Sequence, residues 1–185
     1  MRRSIQIAVA AAAAFAFLTI PANSQRPPFS RWSQFWGTWL HRVQRGPGQS
    51  MPALMTFQVD GTVTGAPGSM FGAVPSATTR FGPIHGVWQR TGWKSVAGTS
   101  LFVIYDTNGV LTGFRRSRCS LEFSDDFNNY QGTEFMEDLS CPSPLGCPDP
   151  FDAAANWTPV SNMPATGFQV SGTRLELVPA GPLKP

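Results

Sequence analysis

Residues 101–114, LFVIYDTNGVLTGF, hold two runs of sheet-forming residues on either side of an Asn-Gly pair at 108–109. An Asn-Gly pair between aromatic and β-branched residues is a strong signal for a tight β-hairpin. An Asp-Gly pair at 60–61 and the polar stretch 125–129 indicate further tight turns. Short strands joined by such turns predict a sequential antiparallel meander.

A meander of this length protects its edge strands most simply by closing into a barrel. We therefore predict an all-β fold, an antiparallel up-and-down β-barrel of about 8 to 10 strands, preceded by a short helical turn at Arg31–Trp36. A β-sandwich is the alternative, but it needs longer crossover connections than most of these turns allow. Two longer connections are expected at Ala66–Gly82 and Pro142–Pro164, and the predicted strands are Trp39–Val43, Met55–Val59, Ile84–Arg90, Lys94–Ser100, Leu101–Asp106, Val110–Phe123, Tyr130–Leu139 and Gly167–Val178.

The chain begins with the features of an export signal. Arg2 and Arg3 precede an alanine-rich apolar run from Ile5 to Ile20, which Pro21 and small residues follow. This order predicts a cleaved signal peptide of bacterial type over 1–24, one domain over 25–185 and a secreted or periplasmic location. A membrane anchor is the alternative, but a spanning helix needs about 20 strongly apolar residues, and this run is shorter and mostly alanine.

Loss of the signal leaves the mature chain nearly neutral. The full chain has 14 Lys and Arg against 11 Asp and Glu, and cleavage removes two of the arginines. The remaining basic cluster at 115–118, RRSR, is typical of a solvated strand face. We expect no nucleic-acid partner, because one cluster without a basic stripe is too small a footprint. We also expect no membrane span in the mature chain, whose oligomeric state stays open.

Three cysteines occur in a chain whose export would permit disulfides. Cys141 and Cys147 flank a proline-rich loop, and we favour a bridge between them. Cys119 is then the odd cysteine. A small buried side chain in a strand is its simpler interpretation, and a nucleophilic thiol is the alternative.

The segment Trp36-Gly37-Thr38-Trp39 places Gly-x-Trp at the start of the first strand, and Arg174 lies in the last one. This pattern resembles the opening motif of the lipocalins and the wider calycin group. The resemblance implies structural roles for Gly37, for Trp39 across the closed end of the barrel, and for Arg174 covering that Trp. The chain is also similar to uncharacterised bacterial secreted barrel proteins in three segments, FQVDGT, GVWQRTG and YDTNG. Neither resemblance implies a particular ligand.

The sequence carries no hydrolase elbow, nucleotide-binding glycine pattern or zinc motif, and we predict no cofactor or metal. His41 shares a strand face with Trp39, so an inward Trp39 would place His41 inward as well. The candidate catalytic residues are His41, His85, Glu134 and Cys119. A hydrogen-bonded core histidine is the simpler interpretation of each histidine, and a general acid or base in an apolar pocket is the alternative.

Five aromatic residues at strand spacing form the candidate ligand-binding set: Phe57, Trp88, Tyr105, Phe123 and Phe168. They favour a secreted barrel that binds a small hydrophobic molecule in its interior, rather than an enzyme. One alternative is a barrel cyclase or isomerase similar to the allene-oxide-cyclase and dirigent class, in which cavity shape guides the reaction. Another is a structural or interaction protein with a filled barrel. The volume of the interior distinguishes these hypotheses.

Overall fold

The computed structural model describes residues 33–70, 79–143 and 145–176 of the chain. The proposed signal peptide at 1–24 lies outside these residues. No helix among the described residues is long and apolar enough to cross a membrane. The strands are β1 (Gly37–Gly46), β2 (Gln49–Phe57), β3 (Thr62–Pro67), β4 (Thr79–Phe81), β5 (Ile84–Arg90), β6 (Ser95–Asp106), β7 (Leu111–Phe123), β8 (Asn129–Ser140), β9 (Thr158–Pro159) and β10 (Phe168–Arg174).

Eight of these strands form a closed antiparallel barrel. The order around the barrel is β1-β2-β3-β5-β6-β7-β8-β10, and β10 closes it by pairing with both β8 and β1. The two short strands add to this ring, β4 beside β6 and β9 beside β8. The predicted all-β, up-and-down barrel is therefore confirmed, and each ring strand has a neighbour on both sides.

Two predicted boundaries need correction. Lys94–Ser100 and Leu101–Asp106 are one strand, β6, because no turn residue separates them. The loop predicted at Ala66–Gly82 begins inside β3, whose sequence TVTGAP looks like a loop because it contains Gly and Pro. Pro67 is tolerated there because the pairing of β3 with β5 ends at Gly65, which leaves Pro67 with a strand neighbour on the β2 side only.

The N-terminal segment also differs from the prediction. Ser33–Phe35 form a turn, in which the Trp36 amide donates to the Ser33 carbonyl over 3.3 Å, and no helix is present among the described residues.

One end of the barrel is closed by Trp39, which is fully buried. Its ring meets Phe123 and Tyr130 at centroid distances of 5.1 and 5.2 Å. The guanidinium of Arg174 lies 4.6 Å from the Trp39 ring centroid, which is a cation–π contact. This is the arrangement that the calycin resemblance implies for these two residues.

Arg174 also joins two other segments of the chain to β10. It donates to the carbonyl of Trp36 over 3.1 Å, to that of Phe127 over 3.1 Å, and to that of Gln34. Gly37 lies beside it with φ of 134°, a backbone conformation that a side chain disfavours. Arg174 therefore holds the N-terminal turn and the β7–β8 connection against the closed end.

We expect Arg174→Ala to lower the free energy of unfolding by about 2–4 kcal/mol, since it removes the cation–π contact and leaves three carbonyls without a donor. Urea denaturation measures this change. Arg80→Ala, at an exposed position on β4, is the matched control and should alter stability by about 0.5 kcal/mol or less. Equal effects of the two substitutions would refute the role of Arg174.

Candidate functional site

A polar network lies inside the barrel, where β1, β10 and β8 run side by side. His41 on β1, Gly172 on β10 and Tyr130 on β8 occupy one row across these strands. A Cβ at Gly172 would collide with the Tyr130 ring, so the glycine leaves the space that this ring fills. The Tyr130 hydroxyl can therefore reach across β10 to Nδ1 of His41, at 2.8 Å.

The same network includes Glu134 of β8 and Ser117 of β7. His41 Nε2 lies 3.1 Å from Glu134 Oε2, and the Ser117 hydroxyl donates to Glu134 Oε1. Nε2 of His41 thus faces the carboxylate, and Nδ1 forms a hydrogen bond with the Tyr130 hydroxyl. All four side chains are buried, so the network is satisfied internally rather than by solvent.

Glu134 is held in its ionised form. Burial alone would raise its pKa, but hydrogen bonds from His41 and Ser117, together with the charges of His41 and Arg45, lower the pKa instead. Burial raises the pKa of the neighbouring Tyr130, so its hydroxyl stays protonated. The network is thus a carboxylate stabilised by surrounding donors.

The arrangement differs from that of a nucleophilic hydrolase. A catalytic serine donates to the histidine that activates it, whereas Ser117 donates to Glu134. Burial and the Glu134 charge raise the pKa of Cys119 to about 12, so this thiol stays protonated near neutral pH. His85 is exposed on the outer face of β5 and is not part of the interior network. Of the four candidate catalytic residues, the structure joins His41 and Glu134 by direct contact.

The centre of the barrel leaves little space. The cavity beside the network has a volume of about 20 Å³ and is lined by His41, Met55, Phe57, Val63, Gly98, Thr99, Ser100, Ser117, Cys119, Leu121, Tyr130 and Glu134. A water molecule fits such a space, whereas pockets for drug-sized ligands measure roughly 300–1,000 Å³. A molecule larger than water therefore has no free space at this point, because the surrounding side chains occupy it.

The predicted ligand-binding aromatics are not gathered around one space. Phe57 lines the small cavity and packs on Trp88 at a centroid distance of 5.8 Å. Phe123 packs under Trp39, and Phe168 is buried beneath the guanidinium of Arg45. Tyr105 is half-buried outside this core. Sequence reasoning did not identify Ser117 and Tyr130 as members of the network. Ser117 could have been found, because it lies two residues before Cys119 on the same strand and therefore shares its face.

We expect acid to destabilise the protein through Glu134. Its pKa is lower in the folded state than its ordinary value of 4.5, so its contribution is present above that value and is lost as pH falls through the folded-state pKa. Urea denaturation between about pH 7 and about pH 3 should show a steeper loss of stability for the native chain than for Glu134→Gln. Parallel pH profiles for the two proteins would contradict this assignment.

A much larger space lies on the outer wall of the barrel. This outer groove has a volume of about 920 Å³ and runs between the outer faces of β5, β6 and β7 and the loop 150–157. Val87 on its floor is 62% exposed, and Phe151 on its wall is 85% exposed. The outward side chains of its floor and wall are Pro83, His85, Val87, Thr99, Leu101, Val103, Phe114, Arg116, Glu137, Phe151, Asp152 and Trp157.

The loop that walls the groove is fixed at several points. A disulfide joins Cys141 and Cys147 at its base. Asp149 accepts from the Phe151 amide over 2.8 Å, which is a local turn-forming hydrogen bond. At the far end, the Arg116 guanidinium lies 4.4 Å from the Trp157 ring centroid. The loop is thereby held beside the sheet instead of over the mouth of the barrel.

Two charged side chains that line the groove, Arg116 and Glu137, form an ion pair with each other. Arg116 donates to Glu137 Oε2 over 2.9 Å, and Arg118 approaches the same oxygen at 3.1 Å. The Asp152 carboxylate accepts from the Ala154 amide over 2.8 Å. Apolar side chains consequently provide most of the unpartnered surface of the groove.

The fold and these sites define an antiparallel β-barrel with a polar network inside and an apolar groove outside. Comparisons of the chain with protein-family models, curated proteins and solved structures found no match. Among the described residues, no group of three or more His, Cys, Asp or Glu side chains is placed to hold a metal ion.

Proposed function

We propose that the chain is an exported, calycin-like barrel protein that binds a small, apolar and uncharged molecule in the outer groove. The observation that carries this proposal is the groove itself, whose volume of about 920 Å³ falls in the range of ligand pockets. Exposed apolar side chains at Val87 and Phe151 support it, because binding would remove them from water.

The charge of the groove favours an uncharged ligand. Arg116 and Glu137 neutralise one another, and the Asp152 carboxylate already accepts a backbone hydrogen bond. A charged ligand would have to separate one of these pairs or enter without a partner, which costs free energy. An apolar ligand would instead gain contact with Leu101 and Phe114.

The outer groove replaces the barrel centre as the proposed binding site. A cyclase or isomerase that acts at the centre lacks support, because about 20 Å³ there admits no organic substrate. A filled barrel with a purely structural or interaction role is the alternative that failure of ligand binding would favour. The Trp39–Arg174 contact supports the calycin-like assignment independently of any ligand.

Export rests on the N-terminal sequence, and cleavage after Ser24 is the expected processing step. Expression of the full chain in a Gram-negative bacterium should yield a periplasmic or secreted protein that begins at Gln25. Intact mass and N-terminal sequencing of the purified protein check this. A product that keeps residues 1–24 would contradict cleavage.

Groove binding is tested with N-phenylnaphthylamine, a neutral apolar dye that brightens in apolar sites. We expect saturable binding accompanied by quenching of Trp157, which lines the groove. Val87→Lys and Phe151→Ser should each weaken binding about tenfold or more, since each removes apolar contact worth at least roughly 1.4 kcal/mol.

Two exposed leucines outside the groove provide matched controls. Leu54→Lys alters an outward strand residue that is 45% exposed, and Leu145→Ser alters a loop residue that is 101% exposed. Both should bind the dye like the unaltered protein. Equal weakening by control and groove variants, or no saturable binding at all, would refute the proposed site.

A further inference from the structure

A second pocket opens at the end of the barrel, where β1 and β10 separate. Pairing between these strands ends at Val43 and Val170, although β1 continues to Gly46. The gap beyond the last pair forms a pocket of about 230 Å³ that includes Arg45, Thr166 and Phe168. It shares no lining residue with the outer groove.

Arg45 is a half-buried cation in this pocket with no carboxylate partner. Its guanidinium lies 4.4 Å from the Phe168 ring centroid, and its Nη2 donates to the Met136 sulfur over 3.4 Å. Neither group carries a negative charge. Every Asp and Glu of the chain lies among the described residues, and none of them forms an ion pair with Arg45.

The two carboxylates that act electrostatically on Arg45 have hydrogen-bond partners of their own. Asp138 receives two hydrogen bonds from Arg115, at 2.6 and 2.7 Å, and Glu134 receives those of His41 and Ser117. Burial and the charge of Arg115 lower the pKa of Arg45, against an opposing effect of Glu134 and Asp138. The guanidinium therefore remains partly desolvated and incompletely neutralised, a state that an arriving anion would relieve.

We propose that this pocket binds a small oxyanion, a carboxylate or a phosphate, through the guanidinium of Arg45. The planar fork of arginine matches both anions with two parallel hydrogen bonds. Thr166 also lines the pocket, and a threonine hydroxyl is a neutral group that can add a further donor. A volume of about 230 Å³ lies below the range of drug-sized sites, which fits a small ligand.

The test uses inorganic phosphate and acetate as separate probes, each compared with chloride at equal ionic strength. Binding to the folded state alone should raise the Tm by roughly 3–5 °C at an anion concentration ten times its Kd. If the Tm shifts with just one of the two probes, that probe identifies the oxyanion that the pocket prefers. No shift beyond chloride with either probe would overturn the proposal.

Arg45→Gln should abolish the anion-specific shift, and Arg45→Lys should reduce it because the charge stays but the fork is lost. Arg42→Gln, on the same strand but on its outer face, is the matched control and should keep the full shift. The Tm of this control also measures any general stabilisation by salts that are excluded from the protein surface. Equal shifts in Arg45→Gln and Arg42→Gln would refute the site.

A measurement on the unaltered chain covers the case in which Arg45→Gln does not fold. The Nε–H resonance of Arg45 in an NMR spectrum should move saturably as phosphate or acetate is added, with the same Kd as the Tm series. An unmoved Arg45 resonance at saturating anion would overturn the proposal even if the Tm rises.

Discussion

The pairing of β10 with β1 on one side and β8 on the other is the constraint on which the remaining structure depends. It removes every free edge from the eight-stranded ring and gives each strand one inner and one outer face. It also brings the first and last strands together, so that Arg174 can cover Trp39. The row of His41, Gly172 and Tyr130 exists only because β10 lies between β1 and β8.

The interior combines aromatic packing with polar groups that satisfy one another. Aromatic rings fill the closed end, whereas the His41–Glu134 contact and the bidentate Arg115–Asp138 pair lie further along the barrel. A satisfied polar network of this kind fixes side-chain positions, because each member loses a partner if another moves. Arg45 departs from this rule, since its charge meets a ring and a sulfur instead of a carboxylate.

Because the cavity beside the interior network measures only about 20 Å³, both binding sites that we propose lie elsewhere on the barrel. The groove on β5, β6 and β7 depends on the disulfide-closed loop, whose contact at Trp157 holds it against the sheet. Loops fixed on a rigid scaffold commonly carry binding residues in proteins. The proposed apolar groove and the proposed oxyanion pocket both follow this principle, although they occupy different parts of the surface.

The sequence by itself determined the hairpin signals, the antiparallel meander and the alternation that puts His41 on the face of Trp39. These features are local, because turn residues and a period of two act within a few residues. Only the tertiary structure decided that Gly172 leaves space for Tyr130, that His41 meets Glu134, and that the loop lies over the outer wall. Such contacts join residues far apart in the chain, and their register depends on strand pairing that no local pattern specifies.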